Sequence, residues 1–251
     1  DDNQTSAYVQ GDCEEAGDDE DGVEFPTPMV PGYEACVRVT YTAEDFTNLN
    51  RDNTALSAWI DFNGDGDFDE TNERIIFTKK GGNDITSTDN VALDKGSAIT
   101  VDLCFIVPGD ATFAGGKAAA RFRLNCETDA SVVTPSDLLV GGEVEDYWVP
   151  VAKVGQYTWL DNDLNGDQAF DPSVNVDNPP AGEMGVNGVD FVLVWKGEDG
   201  ELGANPALND ANDDRKYVKT SGAGPTTEDE DGIFYFCGLQ EGAFQLLPLK
   251  Y

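Results

Sequence analysis

Short segments in which apolar and polar residues alternate recur along the first part of the chain. They include residues 35–41, 99–105 and 119–124, and they are rich in β-branched and aromatic residues. Alternation with period two is the pattern of a half-buried β-strand. In the last of these segments, Arg121 and Arg123 fall on one face and Phe122 and Leu124 on the other. We therefore expect strands with one apolar face.

The second part of the chain has the same character. After residues 144–151, which predict the last strand of the first part, residues 154–160, 189–195, 216–220, 233–236 and 243–248 each predict a strand. No segment predicts a helix longer than two turns. The 27 glycines and 12 prolines favour frequent turns. The sequence thus predicts an all-β protein with two domains in tandem, residues 1–152, which begin with an acidic segment, and residues 153–251.

Two loops interrupt this pattern with oxygen-bearing side chains at alternate positions. The first follows Trp59-Ile60 and the second follows Trp159-Leu160. Calcium takes six to eight oxygen ligands, and alternate residues of a tight loop can direct theirs inward. The candidate ligands of the first loop are Asp61, Asn63, Asp65, Asp67, Asp69 and Glu73, with Gly66 at the sharp turn. This is most of an EF-hand loop, although position 12 is Asn72 and the flanks predict strands.

The second loop keeps the same register but lacks its last ligands. Its candidates are Asp161, Asp163, Asn165 and Asp167, with either Asp171 or Glu183 supplying the missing carboxylate. The alternative for both loops is a solvated Asn/Asp/Gly turn that binds no ion. Because clustered carboxylates repel one another without a cation, and because the pattern occurs twice, we favour calcium as the cofactor.

Further acidic groups are open to two interpretations. Asp-Glu-Asp-Gly occurs at 19–22 and 229–232, either as a turn before a strand or as a source of additional ligands, namely Asp19, Asp21, Asp229 and Asp231. Glu143, Glu145 and Asp146 could lie beside the 61–73 loop or pair with Arg121 and Arg123. Ion pairs are favoured for the arginines because the chain is so acidic.

Composition narrows the class of function. The formal net charge is −34, from 49 acidic and 15 basic residues, so nucleic acid and anionic lipid are not expected partners. Bound calcium or high external salt would offset the self-repulsion. No apolar run is long enough to insert in a membrane. The chain has no histidine, the usual general base, and we expect no enzyme activity.

The cysteines indicate an exported protein. Cys13, Cys36, Cys104 and Cys126 are dispersed and could form two disulfides in any of three connectivities. Cys237 is left over, as a buried thiol or an intermolecular bridge. The chain begins at Asp1 without methionine, so we expect a mature product or a piece of a longer protein.

Two family resemblances cover nearly all of the chain. Residues 18–150 resemble the GEVED domain of bacterial surface and secreted proteins, through residues 19–23, 58–68, 121–123 and the closing Gly-Glu-Val-Glu-Asp-Tyr at 142–147. Residues 153–251 resemble the SdrD B-like module of bacterial adhesins, through residues 154–161, 185–189, 227–236 and 238–242. The second resemblance implies an immunoglobulin-like β-sandwich stiffened by calcium; for the whole chain we expect two sandwiches of immunoglobulin-like or jelly-roll-like type.

Together these patterns predict an extracellular, calcium-stabilised structural protein of a cell surface. We expect a subunit or repeat of a surface layer, sheath or filament that assembles with copies of itself or with other surface proteins. The alternatives are an adhesive module that recognises a glycan or protein, and a non-catalytic accessory domain of a secreted hydrolase.

Overall fold

The computed structural model is almost entirely β. It describes residues 22–43, 54–94, 96–125, 133–136, 142–155, 158–160, 184–198, 200, 215–222 and 232–248. Within this part of the chain there is one three-residue 3₁₀ turn, Ala114–Gly116, and no α-helix. The predicted all-β class is confirmed. The chain divides into two compact units, Asp1–Ala152 and Lys153–Tyr251.

The first unit contains nine complete strands and the start of a tenth. In chain order they are β1 (Val23–Glu24), β2 (Glu34–Ala43), β3 (Thr54–Ile60), β4 (Phe77–Lys80), β5 (Asn83–Thr88), β6 (Val91–Leu93), β7 (Gly96–Ile106), β8 (Lys117–Asn125), β9 (Gly142–Pro150) and β10 (Ala152–Val154), which crosses the unit boundary. They form a five-stranded sheet, β1-β2-β7-β4-β5, and a four-stranded sheet, β6-β3-β8-β9. The pairings within both sheets are antiparallel.

Aromatic side chains join the two sheets. Phe62, two residues after the end of β3, contacts Phe105 of β7 with ring centroids 6.5 Å apart, and Phe113 at 5.9 Å. The alternation predicted for β8 is confirmed, because Phe122 and Leu124 are buried on the core face. Antiparallel sheets whose inner faces interdigitate in this way form a sandwich.

Strand β3 is buried on both faces, unlike a half-buried surface strand. All seven of its residues are buried. On the face away from the Phe62 core, Trp59 packs with Val133 and the half-buried Phe68. The chain therefore leaves β3 from a fully buried position, and the loop that follows begins inside the protein.

The second unit holds the remaining strands. They are β11 (Trp159–Leu160), β12 (Met184–Gly185), β13 (Asp190–Trp195), β14 (Arg215–Thr220), β15 (Phe236–Leu239) and β16 (Phe244–Pro248). A three-stranded antiparallel sheet runs β14-β13-β16, and two-stranded sheets pair β10 with β15 and β11 with β12.

Two strand predictions in this unit were wrong in detail. The segment 154–160 is not one strand, because β10 and β11 pair in different sheets. The segment predicted at 233–236 contributes only an isolated bridge between Ile233 and Gly222, and the strand itself starts at Phe236. No helix in the described residues is long and apolar enough to cross a membrane.

Candidate metal site

The 61–73 loop leaves β3 and returns to the same strand. The amide of Ile60 donates to the carbonyl of Glu73 at 2.9 Å, and Trp59 forms an isolated antiparallel bridge with Arg74. The Arg74 guanidinium lies 5.4 Å from the Trp59 ring centroid, which adds a cation–π contact to the bridge. The two ends of the loop are thus fixed beside each other.

Inside the loop, oxygen-bearing side chains bind the backbone two to five residues ahead. The Asp61 carboxylate accepts from the amides of Gly64 at 2.5 Å and Gly66 at 3.0 Å. Asn63 accepts from the amide of Asp65 at 2.8 Å, and Asp65 accepts from Asp67 at 3.2 Å. Consecutive turns of this kind follow from the short side chains of Asn and Asp, which hydrogen-bond their own backbone. The alternating sequence therefore produces a tight coil whose polar groups converge.

A neighbouring segment supports the outside of this coil. The amides of Thr112 and Phe113 both donate to the Phe62 carbonyl at 2.9 Å. Gly64 has φ +80°, and a Cβ there would lie 2.5 Å from the Ala114 carbonyl oxygen. Only glycine fits both the backbone angle and the close approach, so the loop position is set by its support as well as by its own turns.

Three carboxylates of the loop converge at its base. Asp61, Asp65 and Glu73 each place one oxygen within 4.8 Å of the others. Asp61 is 2% exposed and Glu73 is 1% exposed, whereas Asp65 is exposed. Neither oxygen of the buried Glu73 carboxylate has a hydrogen-bond partner. Buried polar groups are nearly always satisfied, so this carboxylate requires an explanation.

The charge state of Glu73 reflects the same arrangement. Its pKa is raised to about 8, first because burial disfavours the charged form. The nearby Glu70 carboxyl, and repulsion from Asp61 and Asp65, raise the pKa further. Without a cation, the carboxylate is held in a position that opposes its ionisation.

The donor set fits a hard cation. All three groups are carboxylates, the ligand type that calcium takes at 2.3–2.6 Å, and neither histidine nor thiolate is present to favour zinc. Asp61, Asp65 and Glu73 would hold the ion, and its charge would satisfy the two Glu73 oxygens. The sequence named all three, and the structure brings them together although Glu73 stands one residue beyond the usual closing position.

A second, exposed cluster lies on the outer side of the loop. Asp65, Asp67 and Glu70 place one oxygen each within 4.8 Å of the others, and all three are exposed. Glu70 was missed by sequence reasoning, because it falls outside the alternating pattern. Asn63 serves the loop backbone and also donates through its side-chain amide to Asp65 at 2.9 Å. Asp69 is in neither cluster, and its amide donates to Asp67 at 3.0 Å.

Asp146 makes an ion pair rather than joining the loop carboxylates. Arg121 donates to both of its carboxylate oxygens, at 2.6 and 2.5 Å, and also to the Pro135 carbonyl at 2.8 Å. The pair raises the pKa of Arg121 further above its usual value. The Arg121 guanidinium lies 6.0 Å from the ring centroid of Phe68, a loop residue. Asp146 therefore acts on the loop indirectly, by holding Arg121.

The neighbouring residues of β9 hold the edge of the other sheet. The Tyr147 hydroxyl donates to Glu145 and accepts from the Val23 amide of β1 at 3.0 Å. Glu143 and Glu145 belong to neither carboxylate cluster found among the described residues. The Glu-Val-Glu-Asp-Tyr segment thus organises the sandwich around the loop.

Several predicted ligands lie outside the described residues, and their roles stay predictions. These are Asp19, Asp21, Asp161, Asp163, Asn165, Asp167, Asp171, Glu183, Asp229 and Asp231.

One of the predicted cysteine pairings is visible. Cys36 and Cys104 face each other across β2 and β7 and form a disulfide. The nearby Glu34 therefore has no thiolate with which to share a metal. Cys13 and Cys126 lie outside the described residues, and Cys237 lies half-buried in β15, where burial raises the pKa of its thiol.

Comparison with known proteins bears on the first unit. No curated protein and no solved structure matches the chain. The GEVED domain family matches residues 55–150, a stretch that starts in β3, includes the 61–73 loop and ends with β9. The first unit of the chain contains a GEVED domain.

Proposed function

We propose that the chain is a calcium-stabilised, non-catalytic structural protein of the extracellular cell surface, and a subunit or repeat of a layer, sheath or filament. The observation that carries the calcium proposal is the Glu73 carboxylate, buried and unpartnered within 4.8 Å of Asp61 and Asp65 oxygens. A bound divalent ion would supply the missing partner.

Calcium would act as folding energy in this arrangement. The three carboxylates come together only when the loop closes on β3 and rests against residues 111–114. An ion that binds the folded form alone stabilises it by mass action. Both ends of the loop contact β3, a central strand of its sheet. An ion that stabilises the closed loop would therefore also stabilise the fold of the first unit.

The disulfide and the sheet architecture support the extracellular and structural parts of the proposal. A disulfide between Cys36 and Cys104 is typical of oxidising compartments. The described residues form antiparallel sheets that bury apolar and aromatic side chains, as expected for a load-bearing sandwich.

We extend the proposal to residues 153–251 as an SdrD B-like module. Three separated segments that carry the resemblance meet in the second unit. The Asn187 side chain accepts from the Gly232 amide at 2.7 Å, and the Thr158 amide donates to the Gly232 carbonyl at 2.8 Å. The Val186 amide donates to the Thr158 carbonyl at 2.8 Å. These contacts support one compact module, in which a second calcium loop at 161–183 would follow β11.

Thermal unfolding of the full chain tests the calcium proposal. With calcium at about a hundredfold above its dissociation constant, stability should rise by about 2.7 kcal/mol. For a unit of this size that is a rise in midpoint of roughly 5–10 °C over the protein in excess chelator. Magnesium at equal concentration serves as the control, because it demands a tighter octahedral shell. An identical midpoint with calcium and with chelator would refute the proposal.

The assembly part needs a separate measurement. Electron micrographs of the purified full chain in calcium should show ordered polymers or sheets, and chelator should disperse them. Polymers that persist unchanged in chelator would show that assembly does not depend on calcium. A protein that stays monomeric at high concentration in calcium would refute self-assembly.

A further inference from the structure

The first turn of the 61–73 loop contains the asparagine–glycine pair Asn63-Gly64. Glycine has no side chain and the widest backbone freedom, so its nitrogen can attack the side-chain carbonyl carbon of a preceding asparagine. The new carbon–nitrogen bond closes a succinimide ring, and the side-chain nitrogen leaves as ammonia with the proton of the glycine amide. Water then opens the ring to aspartate or to isoaspartate, whose backbone is one carbon longer.

In the closed loop, hydrogen bonds occupy the groups that this reaction uses. The Gly64 amide donates to the Asp61 carboxylate at 2.5 Å. The Asn63 side-chain oxygen accepts from the Asp65 amide at 2.8 Å, and its nitrogen donates to the Asp65 carboxylate at 2.9 Å. The reaction removes the Gly64 N–H and the Asn63 side-chain nitrogen, so two of these three bonds are lost. The closed loop therefore resists the reaction.

Without an ion, the closed loop carries an electrostatic cost. The Glu73 carboxylate is buried without a hydrogen-bond partner, and one of its oxygens lies within 4.8 Å of oxygens of Asp61 and Asp65. Opening the loop would return these groups to water and separate them. Asn63 and Gly64 are only half-buried, so water for the hydrolysis is at hand.

We propose that Asn63 is a deamidation site that reacts from the opened loop and is protected by calcium. The protection presupposes the calcium site proposed above, because the Asp61 and Asp65 carboxylates that hold the reacting groups are those that would bind the ion. Isoaspartate at this position lengthens the backbone between them and disturbs the spacing by which alternate side chains converge. The modification would therefore irreversibly disable molecules that have remained without calcium.

Incubation of the full chain in calcium or in excess chelator, below the unfolding midpoint in chelator, tests the proposal. Peptide mass spectrometry follows the exchange of the Asn63 side-chain nitrogen for oxygen. Calcium at about a hundredfold above its dissociation constant should slow the exchange about a hundredfold, because binding lowers the open population by that factor. In chelator, Glu73→Gln should react more slowly than the native chain, since the charge that opposes closure is gone. Asp67→Asn, the matched change in the exposed cluster, should change the rate less.

The unfolding midpoints of the same samples separate this proposal from the proposed function. If calcium raises the midpoint but leaves the rate at Asn63 unchanged, the protected site is refuted and the calcium site stands. If calcium changes neither quantity, both are refuted. Absence of exchange in chelator would also refute the modification.

The consequence for calcium binding has its own control. Chain aged in chelator should lose the calcium-induced rise in midpoint in proportion to its isoaspartate content. Fresh Asn63→Asp should keep the rise, because aspartate retains the oxygen that accepts from the Asp65 amide. An equal loss in both samples would overturn the role assigned to the longer backbone.

Discussion

The two carboxylate clusters of the 61–73 loop share Asp65 and have opposite surroundings. Asp61 and Glu73 are buried at the base of the loop, whereas Asp67 and Glu70 are exposed on its outer side. The exposed groups are solvated and tolerate their charges at little cost. The buried Glu73 has no donor, and its pKa is raised to about 8.

This difference shows that the number of acidic residues does not define a site. In a chain with 49 acidic residues, close carboxylates arise by composition alone. Burial without a partner is the informative property, because desolvation of a charge is costly unless another charge compensates it. The comparison therefore favours the base of the loop, and not its outer side, as the place of the proposed ion.

The largest expected effect is a pH dependence of the calcium-free protein. The pKa of Glu73 is about 8 in the folded chain against an ordinary 4.5, so the folded form keeps a proton that the unfolded form releases between these values. The free energy of unfolding is therefore not reduced by Glu73 below pH 4.5. It falls as pH rises from 4.5 to 8, by up to about 5 kcal/mol. Urea unfolding in chelator at several pH values measures this loss.

Glu73→Gln provides the control for that measurement. The difference in stability between native chain and variant should grow in favour of the variant across the same pH window. A difference that stays constant with pH would mean that Glu73 is not the group responsible.

The second-largest effect should be on calcium affinity, which we expect to depend on the buried cluster and not on the exposed one. Glu73→Gln removes a ligand charge at the base, and we expect affinity to fall by about a hundredfold, equivalent to about 2.7 kcal/mol. Asp67→Asn is the matched change in the exposed cluster, because Asp67 is not among the groups that raise the pKa of Glu73, and it should alter affinity less than about threefold. Isothermal titration calorimetry measures both. Equal losses in the two variants would contradict the assignment of the ion to the base.

Substitution of the loop glycines tests whether the contact of the loop with residues 111–114 contributes to stability. Gly64 and Gly66 both have positive φ, but a Cβ at Gly64 would meet Ala114, whereas nothing lies within 4 Å of one at Gly66. Gly66→Ala should cost about 1 kcal/mol from backbone strain. Gly64→Ala should cost roughly 2 kcal/mol more, from the added clash. Chemical denaturation in calcium compares them, and similar costs would show that residues 111–114 yield easily.

The smallest effect should come from the ion pair that adjoins the loop. Asp146→Asn removes the charge opposite Arg121 while keeping the shape of the side chain, and should cost about 1 kcal/mol of stability at low salt. Arg121 contacts Phe68, so a loss of calcium affinity of about twofold should accompany it. An affinity loss as large as that of Glu73→Gln would place Asp146 among the ligands.

The local features of the fold and site could be read from the sequence. Alternation located β2, β7, β8 and β9, because each buries one face. The loop ligands followed from side-chain spacing, since alternate Asn and Asp residues coil the backbone by hydrogen bonds over short range. The ion pair of Arg121 could be predicted because acidic residues far outnumber basic ones in this chain.

Features that depend on distant segments could not be read this way. The burial of Glu73 requires β3 to lie inside its sheet with both faces covered, which the pattern of a single strand does not encode. Glu70 joined the exposed cluster only through the path of the chain after Asp69. In the second unit, β10 and β11 pair in different sheets. Their partners are distant in sequence, because β15 begins 82 residues after β10 ends and β12 begins 24 residues after β11 ends, so local alternation does not determine the pairing.

The loop that leaves β3 and returns to it beside Trp59 begins and ends at adjacent positions, like a segment that can be inserted as a unit. Its two ends are joined by the Ile60–Glu73 hydrogen bond and the Trp59–Arg74 bridge, so they stay adjacent whatever lies between them. A segment with adjacent ends can be transplanted into another strand connection without moving the flanking sheet. A loop with the same alternation of Asp and Asn, and with glycine at the same place, follows Trp159 in a different sequence context, as such portability would produce.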